Sequence, residues 1–600
     1  MKNIYIIGIG LIGGSLALNI KKLNPNAVIY GIDNNAEHLE EALSLNIIDA
    51  KAKIDDIVKQ MSNVQGITVL DVDSGPDTNR TVVTIVGSPE SVSEAAFLGI
   101  KRASEILDMS QHSGTHPRMG ATDVCPFIPV SAVTIEECIS LSKQVGKRVG
   151  DELGIPIYLY EKSAQKPDRE KLPTIRKGEY EGFAEKLKDE NWKPDFGPAE
   201  LHIKAGATVM GCREFLIAYN INLNTKDHRL ATDIAFELRE AGRSKRTPNP
   251  NSKNLLDGEI VRNEDGSPVK IPGMFKDVKG IGWYVDIFNR AQISINFNNY
   301  KVSTIHDVFD AACQLAEERG IRVTGSELVG LIPLEAMLMA GKHYLRKQNR
   351  SLGVPTADIV ECAVQSLGLN DVTSFHPEEK IIDYAVESDQ RPLMALTGTG
   401  FVEELSANSP APGGGSVSAL AGALGAALSS MVAALTHEKK EMLDSKPEMD
   451  KIGVEAQALK DRLTFLVDED TAAFNKVMEA NRLSATTDDE KSIKDLAVDV
   501  ANKYAIEIPM ETAEKCFRVI ELSNILVEKG NPNSVSDAGV AAEVALAGVS
   551  GACMNVLINL PGVEDDDYCV DMRNRVEKIM EKAESLQKIV FEKTMNIINK

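Results

Sequence analysis

The spacing of apolar residues changes near residue 390, and this change limits the folds that the chain can adopt. Residues 58–385 mix short β-like runs, such as Thr81 to Val86, with amphipathic helical stretches, such as residues 89–107. From about residue 395 to Lys600 the β-like runs nearly vanish and long helical periodicities replace them, at 417–435, 449–481 and 564–599. The pattern predicts an α/β (α+β) region of two subdomains followed by an all-α helical domain.

The first 57 residues have a pattern of their own. An apolar run, Asn3 to Ile7, leads into a glycine triplet at Gly8, Gly10 and Gly13, and a second apolar run ends at Asp33. Glycines and an acid at this spacing are typical of a β-α-β unit that binds a dinucleotide. The further β-α units of a complete domain do not follow, so we interpret the segment as a partial Rossmann unit with a vestigial fingerprint. It resembles the N-terminal fragment of a prephenate dehydrogenase.

Composition narrows the class of protein. A chain of 600 residues, 43% hydrophobic and 26% charged, has the profile of a soluble protein with several domains. Its eight cysteines include no C-x-x-C pair, which disfavours a disulfide framework or structural zinc and favours a reducing, cytoplasmic environment. No uninterrupted apolar stretch approaches the roughly 20 residues of a membrane span. The net charge of −22 disfavours nucleic acid and anionic membranes as partners.

One segment of the α/β region concentrates residues suited to chemistry. Residues 108–130 bring His112, His116, Arg118 and Asp123 into a stretch rich in Gly and Pro. A neutral imidazole can accept a proton, a carboxylate can orient it, and an arginine can hold a carboxylate bidentately. The alternative is a solvated turn whose histidines cap backbone groups. Zinc is disfavoured, because no third ligand lies at a familiar spacing.

The helical domain begins with a glycine-rich loop. Gly413, Gly414 and Gly415 precede a helix of small residues, and Ser416 suits an N-cap whose exposed N–H groups could bind an anion. The alternative is a flexible linker followed by a tightly packed core helix.

Two later stretches carry further polar groups. Asp468 and Asp470 lie within an apolar helical pattern, and Asn533, Ser536 and Asp537 precede another helix of small residues. An acid on a helix is most often only solvated, so the residues alone leave the role of Asp470 open.

Long stretches in one order resemble a known family. Residues 58–385 resemble the formiminotransferase domain of the formiminotransferase-cyclodeaminase family, through "VLDVDSGPDTNRTVVTIVG", "DMSQHSGTHPRMGATDVCPFIPV" and "DFGPAELHIKAGATVMGCREFLIAYNINL". The helical domain resembles the cyclodeaminase domain, through "APGGGSV", "LVDEDTAAFNKVM" and "GNPNSVSDAGVAAEVALAGVSGACMNVLINL". The resemblance implies subdomains at 58–212 and 213–386 and a cyclodeaminase domain at 395–600. Within the second subdomain, residues 243–280 are polar and rich in Pro, Asn, Gly and Lys, which predicts a surface insertion.

The resemblance also implies site residues. His116 corresponds to the general base of the transferase, Asp73 to its carboxylate partner, and Asp470 to the catalytic acid of the cyclodeaminase. The implied folate-binding stretch comprises Gly197, Pro198, Ala199, Glu200, Leu201, His202, Ile203, Lys204, Ala205 and Gly206. No metal site is implied.

The implied function is folate one-carbon chemistry in histidine degradation. The formimino group of N-formimino-L-glutamate would pass to tetrahydrofolate, and 5-formimino-tetrahydrofolate would cyclise to 5,10-methenyl-tetrahydrofolate with release of ammonia. The implied co-substrate is polyglutamylated tetrahydrofolate, with no metal and no NAD(P), and the implied assembly is a homo-oligomer. The alternatives are an NAD(P)-dependent prephenate dehydrogenase and a non-catalytic folate-binding scaffold.

One departure from the family bears on the transferase. The family's first strand and its Pro-Asn-Phe-Ser-Glu-Gly loop have no counterpart, and residues 1–57 occupy their place. A missing strand leaves backbone groups of its neighbour unpaired. The sequence leaves open whether the transferase half is active or impaired, and whether residues 3–22 pair there as a substitute strand.

Overall fold

A computed structural model describes most of the chain, and it divides the chain into two compact units. The described residues are 3–7, 20, 22, 28–32, 51–75, 79–112, 117–130, 133–252, 254–286, 288–387 and 391–600. Unit 1 comprises Met1–Ala218, Asn296–Tyr300 and Val329–Leu331, and unit 2 comprises the remainder. Gly8, Gly10, Gly13 and Asp33 lie outside the described residues.

Unit 1 is α/β. Its strands are β1 Asn3–Ile7, β2 Val28–Ile32, β3 Thr68–Gly75, β4 Arg80–Val86, β5 Val124–Phe127, β6 Ile157–Glu161 and β7 Thr208–Cys212. Its helices are α1 Lys51–Ser62, α2 Pro89–Ile106, α3 Ile135–Leu153, α4 Leu172–Arg176 and α5 Glu179–Lys186. Sequence signals explain where two of these helices begin. Ser88 is the N-cap of α2 and Pro89 is its first residue, and Thr134 and Glu137 form a capping box at the start of α3.

The central sheet of unit 1 is parallel and covered on both faces. Strand β7 lies between β5 and β6. Alternate side chains of a strand point to opposite faces, so Ile157 and Leu159 join the core under α2 and α3. Tyr158 and Tyr160 join a second core with residues of α4 and α5. This arrangement anchors the loops that leave the strand ends.

The segment at the N-terminus forms its own pair of strands. β1 and β2 are parallel and in register from Asn3–Val28 to Ile7–Ile32, as the partial Rossmann prediction requires. Among the described residues, β3 and β4 form a separate antiparallel hairpin, and no ladder joins β1 or β2 to it. The idea that residues 3–22 replace the missing strand is therefore not supported by the described ladders.

Among the described residues, the first part of unit 2 contains eight strands, four of which form one sheet, and six α-helices. Its strands are β8 Ile217–Leu223, β9 Arg243–Ser244, β10 Arg246–Thr247, β11 Glu259–Ile260, β12 Lys270–Ile271, β13 Val278–Val285, β14 Arg290–Phe297 and β15 Val323–Val329. Its helices are α6 His228–Leu238, α7 Ile305–Glu318, α8 Leu334–Lys347, α9 Thr356–Leu367, α10 Pro377–Lys380 and α11 Ile382–Glu387. The sheet order is β13-β14-β8-β15. The predicted insertion at 243–280 forms two-residue strands, but its last residues belong to β13.

The second part of unit 2 is helical from Gly398 to Ile598. Its helices are α12 Gly398–Leu405, α13 Gly414–Glu438, α14 Lys446–Asn481, α15 Asp488–Lys529, α16 Val535–Asn559 and α17 Asp566–Ile598. Helix α13 packs against α14, α15 and α16, and its buried residues are almost all Gly, Ala or Ser. The predicted helices are confirmed, and the 42-residue α15, with Pro509 inside it, is an addition to them.

Two segments are long and apolar enough to cross a membrane, judged by length and composition alone. They are Gly414–Glu438 and Pro532–Gly562, and 56% and 44% of their most apolar windows are buried inside the protein. The sequence-based statement that no apolar stretch approaches this length was too strict, because Gly and Ser interrupt the run while its Ala, Leu and Val residues keep the mean hydropathy high. Both segments contribute residues to the hydrophobic core of the helical region.

Within unit 2 the sheet subdomain meets the helical region through backbone contact. Leu352 N–H donates to the Asp450 carboxylate at 2.7 Å, and the Ser430 hydroxyl donates to the Gly353 carbonyl at 3.0 Å. A Cβ on Gly353 would overlap with the Cα of Gly453 on α14. The contact therefore requires glycine at Gly353.

We predict that Gly353→Ala lowers the free energy of unfolding by about 1–3 kcal/mol, because the added methyl forces two backbones apart. Denaturant-induced unfolding measures the change. Gly398→Ala is the matched control, since a Cβ there would meet nothing within 4 Å. Equal stabilities of the two variants would contradict the close contact.

Candidate active sites

Two segments that the sequence singled out lie side by side in unit 1. Met109 N–H donates to the Lys204 carbonyl at 2.9 Å, and Ala121 N–H donates to the Ala205 carbonyl at 2.8 Å. Gly120 and Gly206 form an antiparallel bridge between the segments. The structure thus joins the described flanks of the histidine segment to the predicted folate loop, 197–206.

Glycine is required at both ends of the folate loop. Gly197 and Gly206 have φ values of +79° and +67°, a region that side chains disfavour. A Cβ on Gly206 would overlap with the Met119 carbonyl oxygen, and one on Gly197 would lie 2.5 Å from that of Ile155. The loop is therefore closely attached to its surroundings at these two points.

Between its ends the folate loop is open to solvent. Residues 197–200 are exposed, and so are Ile203 and Lys204. His202 accepts the Ala205 N–H at Nδ1, at 3.0 Å, which places the ring proton of the neutral imidazole on Nε2. Lys204 and His202 are the basic side chains that the loop offers to an anionic ligand.

His112 and Arg118 hold the histidine segment in place. Arg118 Nε donates to His112 Nδ1 at 3.4 Å, so the neutral ring carries its proton on Nε2 and donates to the Asn79 carbonyl at 3.1 Å. Asn79 lies directly before β4. The predicted base, His116, lies outside the described residues, and its predicted role stays a prediction.

The two terminal nitrogens of Arg118 are not free to bind a substrate carboxylate. Its two terminal nitrogens donate to the two oxygens of Glu181 at 2.9 and 2.6 Å, and one also reaches Glu179 at 3.2 Å. This hydrogen bonding lowers the pKa of Glu181. The expected bidentate partner of Arg118 is therefore an internal one, 63 residues away.

Asp123 binds two groups close to β5. One oxygen accepts the Met119 N–H at 2.8 Å, and the other pairs with Arg176 of α4. The carboxylate therefore fixes the turn before β5. Asp73, the predicted partner of His116, lies on β3 opposite Val82 and is exposed.

In the helical region, Asp470 of α14 lies against the N-terminus of α13. A Cβ on Gly415 would overlap with both carboxylate oxygens of Asp470, so glycine is required for this approach. The Ser416 N–H donates to the carboxylate, and the Ser416 hydroxyl lies 3.4 Å from Oδ2. That hydroxyl is only 2.8 Å from the Val467 carbonyl, which is the better acceptor of its single proton.

Opposing effects set the pKa of Asp470. Burial raises it above its ordinary value, and the hydrogen bonds from Ser416 partly offset the rise. The helix N-terminus also favours the negative charge. A carboxyl group of this kind can accept a proton and return it, as general acid–base catalysis requires.

The structure corrects the expectation for Ser416. Helix α13 begins at Gly414 with Gly413 as its N-cap, so Ser416 is buried in the first turn and is not the cap. The anion at this helix terminus is the protein's own Asp470. Asn555 of α16 lies beside Gly414, where its amide nitrogen would be 3.3 Å from an added Cβ, and sequence reasoning missed it.

Asp468, two residues before Asp470, has a structural role. It is buried, and its oxygens accept the N–H groups of Leu393 and Met394 at 2.7 and 3.3 Å. It therefore anchors the segment that leads into the helical region.

The polar group at 533–537 lies at the other end of α13. Asn531 N–H donates to the Thr436 hydroxyl near the C-terminus of α13, at 2.9 Å. A helix of 25 residues is about 36 Å long. The loop and Asp470 therefore do not share a site within one chain.

Comparisons with known proteins find related sequences for both halves of the chain. Residues 46–213 match the family profile "Formiminotransferase domain, N-terminal subdomain", residues 218–387 match "Formiminotransferase domain", and residues 397–578 match "Formiminotransferase-cyclodeaminase". Formimidoyltransferase-cyclodeaminase of Mus musculus is 41% identical over 542 residues, which cover 90% of this chain and 95% of that protein. The protein of the same name from Dictyostelium discoideum is 42% identical, with the same coverage. Glutamate formimidoyltransferase of Streptococcus pyogenes is 39% identical over 50% of this chain and 90% of its own length.

The neighbouring acids Asp468 and Asp470 should differ in their effect on stability. We predict that Asp468→Asn lowers the free energy of unfolding by about 1–3 kcal/mol, because the amide leaves one buried N–H without an acceptor. Asp470→Asn should cause no loss, since it removes a charge whose burial is unfavourable and keeps an acceptor for Ser416.

Denaturant-induced unfolding at several pH values measures both effects, with the exposed Asp461→Asn as control. Because folding raises the pKa of Asp470, the wild type gains stability as pH falls through that pKa. Any advantage of Asp470→Asn should therefore shrink at low pH. Equal losses in both variants at neutral pH would argue against the division of roles.

Proposed function

The chain belongs to the formiminotransferase-cyclodeaminase family, and on this premise we propose that it carries out both reactions of that name. The helical region would cyclise 5-formimino-tetrahydrofolate to 5,10-methenyl-tetrahydrofolate and release ammonia. The α/β region would transfer the formimino group of N-formimino-L-glutamate to tetrahydrofolate. The single observation that carries the proposal is the carboxylate of Asp470, partly buried against the glycine-rich start of α13.

A single carboxyl group suffices for the cyclisation. N10 of the folate attacks the formimino carbon, and a carbon–nitrogen bond forms. The formimino group reacts as its protonated amidinium, so its nitrogen already carries two hydrogens. The Asp470 carboxylate takes the proton from N10 and gives it to that nitrogen, which leaves as ammonia when its bond to carbon breaks, and the positive charge stays on the methenyl product. One group thus acts as base and then as acid, which suits a carboxyl whose pKa burial raises above its ordinary value.

The transferase reaction needs one positioned base. N5 of tetrahydrofolate attacks the formimino carbon and loses a proton, while the amine of glutamate gains one. We assign this transfer to His116 with Asp73 as its partner. The contact of the folate loop with the flanks of the histidine segment supports this placement.

The pairing of the β3–β4 hairpin is relevant to how active the transferase is. Among the described residues its strands pair only with each other, and Val72 and Val82 are 39% and 43% exposed. This is the state expected of a sheet without its first strand. We propose that the transferase is the weaker of the two activities.

We propose a cytoplasmic enzyme that uses polyglutamylated tetrahydrofolate and needs neither a metal ion nor NAD(P) for turnover. The family profiles and the relatives named above do not support the prephenate dehydrogenase alternative. A non-catalytic folate-binding scaffold is the second candidate, and the activity measurement separates it from the first.

We predict that the chain converts preformed 5-formimino-tetrahydrofolate to 5,10-methenyl-tetrahydrofolate. The near-ultraviolet absorbance of the product measures this reaction. Asp470→Asn should lower kcat by about 10²–10⁴-fold, because a positioned acid–base group contributes that much. Asp461→Asn, an exposed acid on the same helix, should leave kcat unchanged.

A second mixture, N-formimino-L-glutamate with tetrahydrofolate, tests the transferase, and His116→Ala should abolish its product. Product from the first mixture alone would identify a working cyclodeaminase with an impaired transferase. No product from either mixture would support the scaffold, and full activity of Asp470→Asn would remove Asp470 from the mechanism.

We also propose a homo-oligomer in which α13 packs against a second copy of the chain. Between Val417 and Leu435 the outward positions of α13 repeat with heptad spacing and are all apolar: Val417, Leu420, Ala421, Leu424, Ala427, Leu428, Met431, Ala434 and Leu435. The exposed Glu438 ends this stripe at the C-terminus of the helix. Leu424 is 55% exposed and Met431 is 40% exposed. A sustained apolar heptad stripe is self-complementary, which fits the symmetric interface of a homodimer.

We predict that Leu424→Glu lowers the oligomeric state, because it places a charge in the middle of this stripe. Size-exclusion chromatography with light scattering measures the mass. Val402→Glu, at a 64% exposed residue of α12 outside the stripe, is the control. An unchanged mass for Leu424→Glu would exclude the stripe as the interface.

A further inference from the structure

A cluster of two histidines and acids joins α7 to α8 in unit 2, away from the residues assigned above. His306 and Asp307 lie in the first turn of α7, and His343 lies near the end of α8. The two imidazole centroids are 4.3 Å apart. One ligand atom of each histidine and a carboxylate oxygen of Asp307 all lie within 4.8 Å of one another.

The hydrogen bonds of His306 leave one ring nitrogen open. The Thr304 hydroxyl donates its single proton to Asp307 Oδ2 at 2.6 Å, so it accepts from His306 Nε2 at 3.1 Å. The ring proton is then on Nε2, and Nδ1 has a free lone pair. His306 is only 8% exposed, and its Nδ1 is buried with no hydrogen-bond partner among the described residues. Buried polar atoms in folded proteins almost always have a partner, so this free lone pair indicates a ligand.

His343 is prepared in the same way. Its Nε2 lies 3.0 Å from Asp310 Oδ2 and donates to that carboxylate, which also accepts from Lys347 at 2.7 Å. A carboxylate behind an imidazole is the usual support of a metal-binding histidine, because it fixes the ring and raises its basicity. The lone pair of His343 is then on Nδ1 as well.

We propose that His306, His343 and Asp307 bind a divalent transition-metal ion, with Zn²⁺ as the best match. Two imidazoles and one carboxylate form a common set of zinc ligands, and water would take the fourth position. Tetrahedral Zn²⁺ with bonds of about 2.0–2.1 Å needs ligand atoms about 3.4 Å apart, so the three side chains would have to move closer together than the 4.8 Å that bounds their ligand atoms here.

The surroundings favour a neutral, accessible site. Burial lowers the pKa of His306, which keeps its imidazole unprotonated and able to coordinate. The side chains of His343 and Asp307 are 27% and 53% exposed, so an ion can enter. Arg346 and Lys347 add positive charge nearby, which limits the affinity. The ion would tie α7 to α8 and is independent of the proposed reactions.

The full chain, stripped of metal with a chelator, tests the proposal by titration with Co²⁺ and then Zn²⁺. We predict one Co²⁺ per chain, with the visible bands of nitrogen and oxygen ligands and no thiolate charge-transfer band, and displacement by Zn²⁺. His306→Gln and His343→Gln should each lower the affinity at least about tenfold, and Asp310→Asn by about 10–100-fold through the lost support of His343.

His376→Gln is the matched control, because His376 is 55% exposed and lies outside the cluster. His343→Gln keeps the test valid if His306→Gln does not fold, since His343 is partly exposed. Wild-type affinity in His343→Gln, an equal loss in His376→Gln, or a thiolate band would each overturn the site.

Discussion

The close approach of helix backbones around α13 is the constraint on which the helical region depends. A Cβ on Gly422 would overlap with the Cys516 sulfur of α15, and one on Gly425 would lie 2.8 Å from the Ala541 carbonyl of α16. Gly415 plays the same part towards Asp470 of α14. Small residues on three sides of one helix therefore decide where its neighbours lie, and larger residues would push all three away.

This constraint links packing to chemistry. Asp470 reaches the first turn of α13 only because Gly415 has no side chain, and the same proximity removes water from the carboxylate. Burial raises the pKa of Asp470, while the Ser416 N–H limits the rise by stabilising the charged form. Asp468 shows the alternative outcome on the same helix. Both oxygens of Asp468 accept backbone N–H groups, from Leu393 and Met394. Asp468 therefore holds that segment in place and does not face a substrate.

The sequence predicted most elements, and the reasons for its errors are physical. Periodicity identified β4, α2 and α13 because each has one apolar pattern over its length. The continuity of α15 was harder to foresee, because Pro509 normally ends a helix, and only its burial among other helices offsets the lost hydrogen bond. Arg118 was misjudged because its partner, Glu181, lies 63 residues away and no local pattern reports such a pairing. The His306–His343 pair was missed for the same reason, since the two residues belong to different helices.

The same principle organises the α/β unit, where glycines again bring backbones together. Gly206 faces Met119 and Gly120 so closely that any side chain would separate the folate loop from the histidine segment. Attachment at Gly197 and Gly206 holds the ends of the loop, while the residues between them face solvent with His202 and Lys204. A loop that is rigid at its ends and open in its middle can position an anionic ligand without first having to fold around it. In both halves of the chain, therefore, the candidate chemistry lies where the absence of a Cβ allows two segments to touch.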